Sequence, residues 1–220
     1  YLTRALRGEA IEALPPALFG APLLEAIARA WIDLLAAWRP HAHPFLVEGF
    51  VDHLGRLYQA SIAELEARPA ALVAAGEAPG DDAPSGAERA VQRYLDDAAE
   101  AVGAGLLYRA VALGVPRDAV DPRHIAALDQ VALLLDQHFR LANDLAGFLA
   151  SPGADRDDKP TTCSILVPAD LQGKARATAI VGAAAVVRRL SLRVGEALER
   201  AVAELGRCWP EMAVLLQRGI

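Results

Sequence analysis

The stretch that most constrains this chain runs from Leu128 to Leu166: one long apolar run that ends in an acidic loop broken by Pro and Gly. Val131, Leu134, Leu135, Leu141, Leu145, Phe148 and Leu149, with His138 in part, cover most of a helical circumference. A buried helix has that pattern and a surface helix does not. Into this setting fall Asp136, Arg140, Asn143, Gly147 and Ser151, spaced by three or four residues so that they stack along one side. Asn143, Gly147 and Ser151 would span about 12 Å of that side. A polar line on a helix apolar elsewhere faces a cavity, a partner or water. Asn143-Asp144 is also a poor pair for a helix interior, so local propensity is overruled there. The loop that follows carries Asp155, Arg156, Asp157, Asp158 and Lys159.

Around this stretch the chain reads as helices. The 220 residues suit one domain, or one and a half. A content of 54% hydrophobic but only 5% aromatic residues implies an aliphatic, helical core. Leu23 to Trp38, Phe45 to Arg68, Ala87 to Gly114 and Lys174 to Gly206 show helical spacing, and Trp209 to Ile220 forms a short last helix. Phe45, Phe50, Val51, Leu54, Leu57, Tyr58, Ile62 and Leu65 make the apolar side of the second. Ile180, Val181, Val187, Leu190, Val194, Leu198, Val202 and Leu205 point inward on the long one. Asp121 is placed to cap the central helix, with Pro122 at its first position. No alternating strand pattern occurs, and the expected class is all-α.

Other features narrow the function. The net charge of −6 and the lack of a basic stripe argue against a nucleic-acid role. Cys163 and Cys208 lie far apart, outside any metal-ligand spacing, which suits a reduced, cytoplasmic protein. No apolar run reaches the length of a membrane span. His41 and His43 form an H-x-H pair in a Pro-bounded turn with no third ligand nearby, and read as a loop. Asp81-Asp82, in a Gly/Pro-rich stretch, reads as turn chemistry.

The segment ANDLAGFLAS (Ala142–Ser151) resembles the second metal-binding motif of the class I terpene synthases, of the bacterial type. That motif opens on NDL, with a hydroxyl residue four positions after the Asn and a Glu eight after it. Asn143, Asp144 and Leu145 match. Gly147 stands where the family prefers Ser or Thr, and Ser151 stands where it has Glu. Ser is a neutral, weak ligand, whereas Mg²⁺ favours carboxylate oxygens. The resemblance covers most of the chain, as the C-terminal two-thirds of the family's helical fold. It places the aspartate-rich first motif ahead of Tyr1, or leaves it missing. The bundle would then have an open side, for a second copy or for a partner chain carrying those helices.

The resemblance further implies a site. Asn143 and Asp144 would be the catalytic pair, and Asn143, Gly147 and Ser151 the Mg²⁺ positions. Arg140, Arg156, Lys159 and Arg93 would bind diphosphate oxygens. Trp31, Phe50, Tyr58 and Phe148 would line a cavity for the prenyl chain. A farnesyl or geranylgeranyl diphosphate would lose its diphosphate and cyclise as a cation shielded from water. Asp96, Asp97 and Glu100 spell DDxxE and admit two readings. They are either a metal-binding run or part of the helix whose Arg senses diphosphate, with Arg93 as that Arg and Gly103-Ala104-Gly105 as its kink. Ser151 and the missing aspartate-rich helix support a further reading, a catalytically silent prenyl-binding or partner subunit.

Overall fold

A computed structural model describes residues 40–66, 86–150, 161–167 and 171–212, with positions 26, 29, 30, 33, 36–38 and 214. Within these residues the chain is all-α. The helices are α1 (Pro44–Glu66), α2 (Gly86–Ala98), α3 (Ala104–Ala112), α4 (Pro122–Ala150), α5 (Thr162–Leu166) and α6 (Gly173–Cys208). Short 3₁₀ turns, Ala99–Val102 and Arg117–Ala119, link α2 to α3 and precede α4.

Local chemistry sets the boundaries. Pro44 and Pro122 occupy first helical positions, where a missing N–H costs nothing. Asp121 caps α4 as expected: its Oδ1 accepts the Arg123 N–H at 2.8 Å and its carbonyl accepts that of His124 at 2.9 Å. The Arg123 guanidinium joins the same carboxylate, and these bonds hold the Asp121 carboxyl down at about 2. His43 acts at the start of α1, its Nδ1 accepting the Phe45 N–H at 3.3 Å, so the H-x-H turn has a capping role. The expected break between α2 and α3 falls at Gly103, whose φ of 71° is left-handed.

The chain forms two compact units. The first comprises Tyr1–Arg56, Leu106–Ala132 and Val202–Ile220, the second Leu57–Gly105 and Leu133–Ala201. In the first, Phe50, Leu113, Leu128, Leu205 and Met212 are fully buried. Arg109 is buried among them and is compensated twice: its Nε donates to His53 Nδ1 at 3.1 Å and its Nη2 meets Asp129 Oδ1 at 2.7 Å. Gly49 makes room for that guanidinium, because a Cβ there would stand 2.7 Å from Arg109 Nη1. His124 stacks on Trp209, with ring centroids 4.9 Å apart.

In the second unit Val91, Leu95, Leu135, Leu141, Val187 and Leu190 are buried, and α5 packs on α2. Glu88 at the first turn of α2 accepts Arg189 Nε at 2.7 Å and Arg193 Nη1 at 3.0 Å from α6. Burial pushes the Glu88 carboxyl up, but the two guanidinium groups outweigh it and leave it below its ordinary value.

Three inward assignments on α1 and one on α6 are corrected. Phe45, Tyr58 and Ile62 are 51%, 51% and 47% exposed, and Val181 is 71% exposed. On α6 the buried line runs through Val187, Leu190, Val194 and Leu198, and Val181 lies on the opposite side. An apolar residue at near-helical spacing was not enough to settle which face it joins. Among the described residues, no helix is long and apolar enough to cross a membrane.

Candidate functional site

The C-terminal half of α4 carries the polar residues singled out in the sequence, but it sorts them differently. Asp136, Arg140 and Asp144, at i, i+4 and i+8, are all buried, while Asn143 and Gly147 are exposed. The single polar line expected from Asp136 through Arg140 to Asn143, Gly147 and Ser151 is therefore two lines. One carries charge and faces inward; the other is neutral and faces solvent. Adjacent residues stand about 100° apart around a helix, so Asn143 and Asp144 fall on different lines.

The inward line is tied to three other elements of the second unit. Asp136 Oδ1 accepts the Gly105 N–H at 2.8 Å, at the start of α3, where an unpaired N–H favours a carboxylate. Arg140 Nε donates to Tyr94 Oη of α2 at 2.7 Å, and its Nη2 reaches the same oxygen. Arg140 Nε also lies 3.1 Å from Asp144 Oδ1. The second oxygen of Asp144 accepts both the Thr162 N–H and the Thr162 hydroxyl, each at 2.7 Å. Asp144 thus pins the first residue of α5 to the last turns of α4.

The electrostatics follow from burial. Desolvation pushes the Asp144 carboxyl up, and Arg140, Thr162 and Tyr94 pull it back only in part, leaving it above its ordinary value. The Tyr94 phenol is raised strongly, first by burial and then by the Asp144 charge. Tyr94 therefore stays neutral at physiological pH and serves Arg140 as an acceptor. Beside this network, Asp96 Oδ1 accepts Gln92 Nε2 at 2.9 Å and Gln137 Nε2 at 3.4 Å. The first carboxylate of the DDxxE run is thus held by two amides, and both Asp96 and Asp97 are exposed.

The other sequence candidates are scattered. Arg93 is exposed on α2. Phe50 is 1% exposed in the core of the first unit, and Tyr58 stands in solvent on α1. Trp31, Ser151, Arg156 and Lys159 lie outside the described residues, as does the side chain of Phe148. The structure brings together Arg140 and Asp144 and adds Tyr94 and Thr162, which the sequence reading did not join to them, while Asp136, expected on the same line as Arg140, bonds to Gly105. One signal was available: acidic, basic and acidic residues at i, i+4 and i+8 on an apolar helix must be paired if they are buried.

The described residues do not by themselves suit Mg²⁺. Asn143 offers one amide oxygen, Gly147 has no side chain, and both oxygens of Asp144 are committed to protein donors. No three His, Cys, Asp or Glu side chains gather as a metal site among the described residues. Comparison with family models, with curated proteins and with solved structures finds no match for the chain.

Proposed function

We propose that this chain is a class I terpene synthase-type domain, acting in the cytoplasm on a prenyl diphosphate, farnesyl or geranylgeranyl, with Mg²⁺ as cofactor. Its product would be a cyclised terpene. The observation that carries this reading is the different burial of two adjacent motif residues. Asp144 turns inward and anchors α4 to α5, while Asn143 and Gly147 share an open face one turn apart. The face to which the resemblance assigns ligands is thus the accessible one.

Arg140 takes a different role from the one first expected. With its Nε between Tyr94 and Asp144, it positions the end of α4, and diphosphate oxygens fall to Arg93, Arg156 and Lys159. Tyr94, kept neutral, holds that positioning group to α2.

A second reading is a catalytically silent domain of the same type that holds a prenyl chain or serves as a partner subunit. It is favoured by the absence, among the described residues, of three His, Cys, Asp or Glu side chains gathered as a metal site, and by Ser151 in the place of Glu. The two separate in a Mg²⁺-dependent diphosphate-release assay with geranyl, farnesyl and geranylgeranyl diphosphates. Release that requires Mg²⁺ and disappears in Asn143→Ala supports the cyclase. No release from any of the three by the full-length protein sinks it and leaves the silent domain.

A further inference from the structure

His124 occupies the third position of α4, where a Glu or Gln commonly turns back to accept the N–H of the capping residue. Here an imidazole does so: its Nδ1 accepts the Asp121 N–H at 3.1 Å. Asp121 reciprocates within the same turn, its Oδ1 accepting the Arg123 N–H. An imidazole that accepts at Nδ1 carries its proton on Nε2 and is neutral. A second proton enters at Nδ1, and there it would face the N–H donor of Asp121. The cap and the charged ring exclude each other.

The surroundings decide where a charged ring would go. Asp121 attracts it, but both Asp121 oxygens are committed to Arg123, so that pairing costs a bond already made. The Arg123 guanidinium and the N–H groups of the first helical turn repel a cation. On its other side the ring stacks on buried Trp209, with centroids 4.9 Å apart and planes at 15°. An indole face attracts a cation. The remaining titratable groups on these segments are engaged with one another or exposed. Cys208 donates to the Leu205 carbonyl, Arg207 joins Glu204 and Asp129 joins Arg109, while Arg117, Asp118 and Glu211 are exposed.

We propose that His124 is an acid-operated switch within the first unit. Neutral, it closes the cap of α4; protonated, it releases the Asp121 N–H and keeps its place on Trp209. Acidification through the range in which an imidazole gains its proton therefore loosens the first turn of α4 and leaves Trp209 docked. The Asp121 carboxyl, held at about 2, stays ionised throughout that range, so the change belongs to the imidazole. The switch needs neither prenyl diphosphate nor Mg²⁺ and stands apart from the cyclase reading.

The test is a pH titration of the isotope-labelled full-length protein by NMR, beside His124→Gln. Gln at this position accepts the same N–H and does not titrate. From about pH 7.5 to about pH 5.5 the native protein should lose about tenfold in hydrogen-exchange protection at the Asp121 amide, corrected for intrinsic exchange. The Trp209 indole resonance should shift with the same midpoint. In the variant the Asp121 protection should change by less than about twofold and the Trp209 indole should hold still. His43 and His53 also accept through Nδ1 and remain in the variant, so any general effect of acid persists there. Protection at Asp121 that survives in the native protein, or that falls equally in the variant, would overturn the switch. Should circular dichroism show the variant unfolded, the native protein decides alone. The His124 ring and the Asp121 amide must then titrate with one midpoint, and separate midpoints overturn the switch.

Discussion

Arg140 and Asp144, one turn apart on α4, form an ion pair of 3.1 Å whose side chains are only 8% and 5% exposed. Such a pair gains little net stability, because desolvation offsets most of the attraction, but breaking it strands a buried charge. Asp144→Ala is therefore expected to destabilise the protein by about 3–5 kcal/mol, read as a shift in urea unfolding followed by circular dichroism. Replacing both residues, with Arg140→Met and Asp144→Leu, should recover much of that loss. A double variant no more stable than the single one would show that Thr162 and Tyr94, not the ion pair, depend on Asp144.

Glu88 and Asp144 predict opposite pH dependences. The folded value of Glu88 lies below its ordinary 4.5, so its contribution is present above that value and is lost as pH falls through the folded value. The folded value of Asp144 lies above its ordinary 3.8, so its contribution is fully present below 3.8 and is lost as pH rises through the folded value. The stability advantage of the native protein over Glu88→Gln should therefore shrink on acidification below about pH 4.5. Its advantage over Asp144→Asn should shrink as pH rises from below 3.8. The Glu88 effect is on the order of 1 kcal/mol, because its arginine partners are half-exposed. Denaturation midpoints for the three proteins across pH 3 to 8 check both signs.

The turn between α2 and α3 depends on Gly103 for two reasons. Its φ of 71° disfavours any side chain, and a Cβ there would stand 2.7 Å from Leu57 Cδ1. Gly103→Ala should cost about 1–2 kcal/mol from the backbone conformation alone, plus the displacement of Leu57. Adding Leu57→Ala should relieve only the second part, so the double variant will show less than additive loss. Full additivity of the two would mean that the contact is not made.

Where a local rule decided the outcome, the sequence was legible. Asp121-Pro122 marks the start of α4, the Gly103-Ala104-Gly105 run marks a break, and both stand in the structure. Helical phase was harder to read. Val181 and Ile180 are adjacent and equally apolar, and only the packing line through Val187 and Leu190 shows that Val181 faces outward. The same difficulty divided Asn143 from Asp144, since either could have led the buried line. Tyr94 and Thr162 were out of reach for another reason. They meet Arg140 and Asp144 from 46 and 18 residues away, and neither residue type advertises its partner.

The open face of α4 yields the sharpest prediction about function. Asn143 is exposed, so Asn143→Ala should change stability by no more than about 0.5 kcal/mol. If its amide oxygen belongs to the site, diphosphate release will nonetheless vanish. Asp144→Ala should instead lose release and stability together, as an anchoring residue would. Gly147 adds a gain-of-function arm. A Cβ at that position meets nothing within 4 Å, so Gly147→Ser is sterically free and sets a hydroxyl one turn from Asn143. Release by Gly147→Ser should then saturate at lower Mg²⁺ concentration than in the native protein, because the site gains an oxygen ligand. An unchanged Mg²⁺ dependence in this variant, with activity intact in Asn143→Ala, would remove this face from the site and leave the buried Arg140–Asp144 network as architecture alone.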